Sequence, residues 1–241
     1  MVHLPEKSEF VSATILIVHG YYSSNSVGPA RLYVQLARHL CESGFTVFRA
    51  DILGVGNSDG EFEEITYERM IADTEIIVAY IKKKTKTKPI LIGHSIGSNI
   101  AILVYSRQPD MYLGAIVINP EIDFPPEGDR FFTVSQLSEM KESGFTIRKG
   151  LRINARFILR LREQPILEIA RSIEGMVYLV QSENDEFYDP DGAKKLNSVL
   201  RNSKFIGIPE ADHNFGKKEC RKNLFLAVGQ SALEIARANP G

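Results

Sequence analysis

Cysteine is scarce: Cys41 and Cys220 are the only two in 241 residues, far apart and outside any C-x-x-C or Cys/His spacing. That argues against a disulfide scaffold and against a structural metal. An excess of one charge is also missing. Lys and Arg number 29 against 30 Asp and Glu, for a net charge of −1, so the whole-chain balance announces neither a nucleic-acid nor a membrane partner. No apolar run approaches the roughly 20 residues that a membrane-spanning helix needs. Met1 to Lys7 lacks the charged and apolar regions of a secretory signal. The expectation is a cytoplasmic protein with no integral membrane association. Internal repeats and low-complexity segments are absent too, which leaves one large globular domain, or a domain carrying an insertion.

What is present is a series of short, continuous apolar runs bounded by turn residues. They are Thr14–Val18, Phe45–Phe48, Ile90–Ile92, Ala115–Ile118, Val177–Val180 and Phe205–Ile208. Continuity, rather than alternation, predicts strands buried on both faces of a parallel sheet. Helical patterns lie between them. Leu32, Leu36 and Leu40 recur every four residues and stop before Gly44, and Met70, Thr74, Ile77, Val78 and Ile81 make a second stripe. Strand alternating with helix predicts an α/β fold, a mostly parallel sheet flanked by helices. The lysines between Lys82 and Lys88 read as a helix end, where positive charge suits the dipole, followed by a solvated turn.

Residues 121–172 interrupt the rhythm with no convincing core strand. A stretch this long between sheet strands predicts a small, mostly helical insertion rather than a bare loop. The resulting division is a core of residues 1–120 and 173–241 with an insertion, a lid, at 121–172. The lid is locally basic: Lys141 to Glu163 holds seven lysines and arginines against two glutamates, with Arg152, Arg156 and Arg160 at four-residue spacing. A solvated helix face opposite Ile153, Phe157 and Leu161 is one account. An anionic docking surface is the other.

The segment Gly93-His94-Ser95-Ile96-Gly97 follows one apolar run and precedes a helical one. A serine nucleophile needs such a sharp strand-to-helix turn, with small residues on either side so that its Oγ stands clear. A serine is activated by a histidine, itself oriented by an acid, expected in the order serine, acid, histidine. His213, in Ala211-Asp212-His213-Asn214-Phe215 after the last strand, is the candidate base. His94 is expected to point away from Ser95, and His3, His19 and His39 to be structural. The loop after Val180 offers Glu183, Asp185, Glu186 and Asp189 as the acid. Asp185 is favoured by its distance from the strand end, Asp189 is expected to cap the next helix, and Glu183 and Glu186 to be solvated. Oxyanion donors are expected from the backbone N–H groups of Ile96, just after the serine, and of Tyr21, aimed by the turn at Gly20. The side chains of Tyr22, Phe124 and Phe157, with Phe131 and Phe132, are candidates for the acyl pocket.

With His19-Gly20, the Asp51 to Gly60 segment, Gly93 to Gly97, the Asp185 loop and Ala211-Asp212-His213 in this order, the chain resembles the α/β-hydrolase superfamily from about residue 14 to 235. It is most similar to bacterial cinnamoyl and feruloyl esterases and to serine-aminopeptidase-like hydrolases. The resemblance implies that Asp51 and Ser58 lie in a loop packed beside the oxyanion turn, and that the opening hairpin is shortened. Ser98 and Ser182 stand where glycine is common in the family. The implied activity is hydrolysis of carboxylic esters through an acyl-enzyme on Ser95, with no cofactor and a small acyl ester as substrate. The arginine row motivates the alternative of a thioesterase whose substrate hangs from coenzyme A or a carrier protein. Peptidase, acyltransferase and non-catalytic binding roles share the same fold, and a homodimer is compatible with the sequence.

Overall fold

The computed structural model describes residues 1–5, 11, 13–21, 26–122, 132–187 and 191–239. Tyr22, Phe124, Phe131 and Asp189, singled out above, lie outside them. In chain order the strands and α-helices are β1 Val2–His3, β2 Thr14–Val18, α1 Leu32–Glu42, β3 Thr46–Arg49, α2 Tyr67–Thr85, β4 Pro89–His94, α3 Ile96–Arg107 and β5 Gly114–Ile118. After them come α4 Val134–Ser143, β6 Phe145–Arg148, β7 Leu151–Asn154, α5 Ala155–Arg162, α6 Ile166–Ala170, β8 Val177–Ser182, α7 Gly192–Val199, β9 Ser203–Ile208 and α8 Lys218–Ala238.

Seven of the described strands form one sheet in the order β1-β3-β2-β4-β5-β8-β9. All pairs are parallel except the edge pair, in which Val2 and His3 lie antiparallel to Phe48 and Val47. Among the described residues this two-residue strand is the antiparallel edge of the sheet, paired with β3. It is tied down by Arg49, a fully buried side chain whose Nε donates to His3 Nε2 over 3.0 Å. His3 is held below its ordinary pKa by burial and by the Arg49 charge, consistent with its acceptor role.

The period of two along a strand explains the continuous apolar runs. Ile15 and Ile17 of β2, Ile90 and Ile92 of β4, and Tyr178 and Val180 of β8 face a core shared with Leu32, Leu36 and Leu40 of α1 and Leu224 and Val228 of α8. Leu16 and Val18, Leu91, and Val177 and Leu179 face the opposite core with Met70 and Val78 of α2, Ile100 and Val104 of α3 and Leu196 of α7. Each such aliphatic side chain contributes about 1.5–3 kcal/mol by leaving water. α1 ends just before Gly44, which takes φ +93°. α2 ends at Thr85 with Lys86 in the left-handed region, φ 61°, so the lysines do close a helix and enter a turn.

The sheet is parallel, so β2, β4, β5, β8 and β9 all deliver their following loops to the same, C-terminal edge. At the opposite edge the hydroxyls of Thr14 and Thr87 meet at 3.1 Å. The insertion packs on the α2 and α3 side through Leu137, Met140, Ile153, Phe157, Ile158 and Leu161. It is less helical than the sequence suggests. Between α4 and α5 stands an antiparallel hairpin, β6 with β7, closed by Lys149 and Gly150. Both closing residues have positive φ, 50° and 77°, the requirement of a two-residue type I′ turn.

Candidate active site

Ser95 sits on the turn between β4 and α3 with φ 58° and ψ −131°. A non-glycine residue holds that conformation only where its surroundings over-determine it. Here the Ser95 N–H donates to the Ile118 carbonyl over 2.9 Å, and its own carbonyl accepts from Ser98 N–H over 2.8 Å. The flanking glycines are obligatory. A Cβ on Gly93 would stand 2.3 Å from the Gly97 carbonyl oxygen, and one on Gly97 would stand 2.3 Å from that of Val18 and 2.6 Å from that of His19. The elbow is thus pressed against the end of β2. Ser98, where a third glycine is common, uses its hydroxyl: Oγ donates toward the carbonyls of Gly93 at 2.9 Å and Ile118 at 2.8 Å and accepts from Ile118 N–H at 3.0 Å.

His213 and Asp185 meet as expected from the chain order, with Nδ1 and Oδ2 2.7 Å apart and side chains 6% and 0% exposed. The second Asp185 oxygen accepts the N–H of Phe187 over 2.9 Å, and the Phe187 ring stands edge-on to the imidazole at 5.2 Å. Both carboxylate oxygens are therefore committed, and a proton on Nδ1 makes Nε2 the basic nitrogen of the neutral ring. One expectation is corrected. Glu186 is not simply solvated: its Oε2 accepts the backbone N–H of His213 over 2.9 Å.

His94 is directed away from Ser95 into the interior, 2% exposed. Its Nε2 lies 3.0 Å from the His213 carbonyl oxygen and its Nδ1 2.8 Å from the Tyr33 hydroxyl. A carbonyl only accepts, so Nε2 carries the proton and Nδ1 accepts from Tyr33. The Tyr33 oxygen in turn accepts Gly20 N–H over 3.3 Å. Burial, then repulsion from His213, holds the His94 pKa down to about 3, which keeps the ring neutral. The same His213 carbonyl accepts from Asn119 Nδ2 over 3.0 Å. Asn119 also binds Ser182, through Nδ2 to Oγ at 2.9 Å and from Ser182 N–H to Oδ1 at 2.8 Å, while Ser182 Oγ donates to the Asp212 carbonyl over 2.9 Å. Ser182 therefore fastens the acid strand to the histidine loop, a task glycine could not perform. Tyr33 and Asn119 are site residues that sequence reasoning did not reach, and Glu186 is one whose role it did not foresee.

The two amides expected to face an oxyanion border this elbow: Ile96 opens α3, and Tyr21 follows Gly20 in the turn whose preceding residues touch Gly97. Tyr21 and Ile96 are each 7% exposed. His19 shapes the turn, its Nδ1 2.7 Å from the Gly20 carbonyl oxygen and its Nε2 accepting Ile52 N–H at 3.4 Å. The Asp51 loop lies beside it, as the family resemblance implies. Asp51 accepts Ser26 N–H at 2.6 Å and Asn57 N–H at 3.1 Å, and Ser58 Oγ donates to the Asp51 carbonyl at 2.7 Å.

Phe157, expected to line an acyl pocket, is fully buried and stacks on the Tyr21 ring, with centroids 4.1 Å apart and planes at 16°. The arginine row does not stand unpaired against solvent. Arg152 meets Glu63 at 3.3 Å, Arg156 meets Glu68 at 3.8 Å, and Arg160 meets Glu68 at 3.2 Å and Glu163 at 3.1 Å. These pairings offset part of the positive charge that motivates the coenzyme A or carrier-protein alternative, though all three arginine side chains stay more than half exposed. Among the described residues no group of three or more His, Cys, Asp or Glu side chains is placed to hold a metal ion, and no helix is long and apolar enough to cross a membrane.

Residues 10–142, more than half of the chain, match the family model described as serine aminopeptidase, S33. Human monoglyceride lipase is 33% identical over 104 residues, 42% of this chain and 34% of that protein. A monoglyceride lipase homolog of monkeypox virus is 31% identical over 93 residues, 38% of this chain and 34% of the homolog. The matched segments thus span about a third of these relatives' length. Among solved structures, ferulic acid-bound Est1E from Butyrivibrio proteoclasticus superposes with a TM-score of 0.81 at 20% identity, covering 97% of this chain and 93% of the other. A monoacylglycerol lipase from Paleococcus ferrophilus gives 0.79 at 20% identity, covering 98% of both. At this identity the two structures speak to the fold, the α/β-hydrolase arrangement.

Proposed function

The chain belongs to the serine aminopeptidase S33 family of α/β hydrolases, and from that premise we propose that it is a serine hydrolase of carboxylic esters. The observation that carries the reading is the buried contact of His213 Nδ1 with Asp185 Oδ2 at 2.7 Å, reached from a loop whose backbone is bonded to the residue preceding Ser95.

In the proposed reaction Ser95 Oγ attacks the acyl carbon while His213 Nε2 takes its proton and Asp185 stabilises the imidazolium. The backbone N–H groups of Tyr21 and Ile96 hold the developing oxyanion. His213 then returns the proton to the departing alcohol. Water repeats the sequence on the acyl-serine, releasing the acid. The matches to monoglyceride lipases support single-acyl esters as the substrate class. Residues 121–172 would cover the site as a lid.

Hydrolysis of p-nitrophenyl esters from acetate to long acyl chains, with monoacylglycerol and methyl ferulate in parallel, tests the proposal. Turnover that disappears in Ser95→Ala is the expected result. Activity equal in the two proteins, or absent from both, would overturn it.

A further inference from the structure

Helix α5 packs on the core through Phe157, Ile158 and Leu161, and its N-cap is bonded to the core as well. Phe157 lies stacked on Tyr21 and edge-on to Tyr67, the latter at 5.8 Å, while Phe62 tilts against Tyr21 at 5.2 Å. The Tyr21 ring is therefore gripped by one aromatic residue of the insertion and one of the core. Asn154 does two things at the start of α5. Its Oδ1 accepts Arg156 N–H over 2.9 Å as the helix cap, and its Nδ2 donates to the Glu63 carbonyl, also over 2.9 Å. Arg152 on Glu63 and Arg160 on Glu68 extend the same line of attachment. Exposed ion pairs contribute little stability one by one, but three successive tethers, Arg152 on β7, the Asn154 cap and Arg160 on α5, fix where that helix sits.

Tyr21 also supplies, in the acyl-transfer reading above, an oxyanion donor. Such donors act because they are already in place before charge develops, and a displacement of about 1 Å can cost on the order of 100-fold in rate. We propose that Phe157 is a positioning residue. Through the Tyr21 ring it fixes the Tyr21 backbone N–H beside Ser95, and Asn154 with the arginine row holds Phe157 at the height where it does so. The insertion then serves as the support of the oxyanion turn, besides any part it plays in covering substrate. This inference rests on the proposed ester hydrolysis for its kinetic consequence, though not for its structural one.

The experiment compares Phe157→Leu and the half-buried Asn154→Ala with the unaltered protein. Three readouts are taken: kcat and KM on p-nitrophenyl butyrate, inhibition by an alkyl trifluoromethyl ketone whose hemiketal oxygen occupies the oxyanion position, and the Tyr21 amide resonance in 15N-tyrosine-labelled protein, assigned with Tyr21→Phe. Positioning predicts that Phe157→Leu lowers kcat about tenfold and weakens the ketone by a similar factor, with KM within about twofold and the Tyr21 amide shifted or broadened. Asn154→Ala moves the same readouts in the same direction by less, and carries the test should Phe157→Leu fail to fold. An unchanged kcat with raised KM or a new chain-length preference would make Phe157 a wall of the acyl pocket and overturn the proposal. Absence of Ser95-dependent turnover in the unaltered protein would instead sink the ester reading. The Tyr21 amide would still decide the support, and an unmoved resonance in both variants would refute it.

Discussion

His94 donates its Nε2–H to the carbonyl of His213 across 3.0 Å, so the residue before the proposed nucleophile holds the backbone of the proposed base. With Tyr33 bridging His94 to Gly20, one buried path joins the serine elbow, the histidine loop and the proposed oxyanion turn. Tyr33→Phe deletes the hydroxyl and leaves Gly20 N–H without that acceptor and His94 Nδ1 without that donor. A loss of about 1–3 kcal/mol in stability is expected from the unsatisfied buried groups, together with about a tenfold loss of kcat as the three loops relax independently. Urea unfolding and steady-state hydrolysis check the two effects. A stability loss with unaltered kcat would make the path structural only.

The depressed His94 pKa makes a pH prediction with a definite sign. The folded protein keeps His94 neutral down to about 3, whereas an unfolded histidine titrates near 6.5. Between those values the unfolded state binds more protons, so stability falls as pH drops through that window and the His94 contribution is fully present above it. His94→Gln cannot titrate. Its melting temperature, though lower at neutral pH, should decline less steeply between pH 6.5 and 4 than that of the unaltered protein; parallel curves would refute the assignment.

Asp185→Asn tests the acid. The amide retains the shape but cannot stabilise the imidazolium and can impose the wrong tautomer on His213. A fall in kcat of about 10³–10⁴-fold is expected on that precedent, with the fold retained by near-ultraviolet circular dichroism. A loss under tenfold would point to a different acid.

Glu186 separates backbone positioning from charge. Glu186→Gln keeps an oxygen acceptor for His213 N–H and should stay within about twofold of the original kcat, while Glu186→Ala should lose about 3- to 10-fold, the equivalent of one hydrogen bond of ~1 kcal/mol. Equal activity in both variants would show that the His213 N–H contact does not matter to rate.

The strand runs, the elbow glycines and the order of Ser95, Asp185 and His213 were legible because each depends on local pattern: apolar continuity, a turn geometry and loops that follow strands. Tyr33, Asn119 and the role of Glu186 were not. Tyr33 lies 61 positions from His94, and nothing along α1 marks one buried tyrosine as a bridge between loops. Glu186 shares its loop with three other carboxylates, and only the three-dimensional path of that loop selects it. The β6–β7 hairpin did carry a signal, Lys149-Gly150 between short apolar stretches, which the surrounding basic residues and helical spacing obscured. Long side chains hid the arginine row's role as well: periodicity places Arg152, Arg156 and Arg160 on one side, but their carboxylate partners lie some ninety residues earlier.

The Thr14–Thr87 hydroxyl pair marks the sheet edge remote from every loop of the proposed site. That polarity has a practical side. A fluorophore or surface linker attached at Thr87, after Thr87→Cys with Cys41 and Cys220 replaced, would anchor the molecule by its base and leave the C-terminal edge of the sheet, with the proposed site, oriented toward solution. Immobilised that way, the protein should process esters at nearly its free rate, whereas coupling through the Asp185 loop would obstruct it.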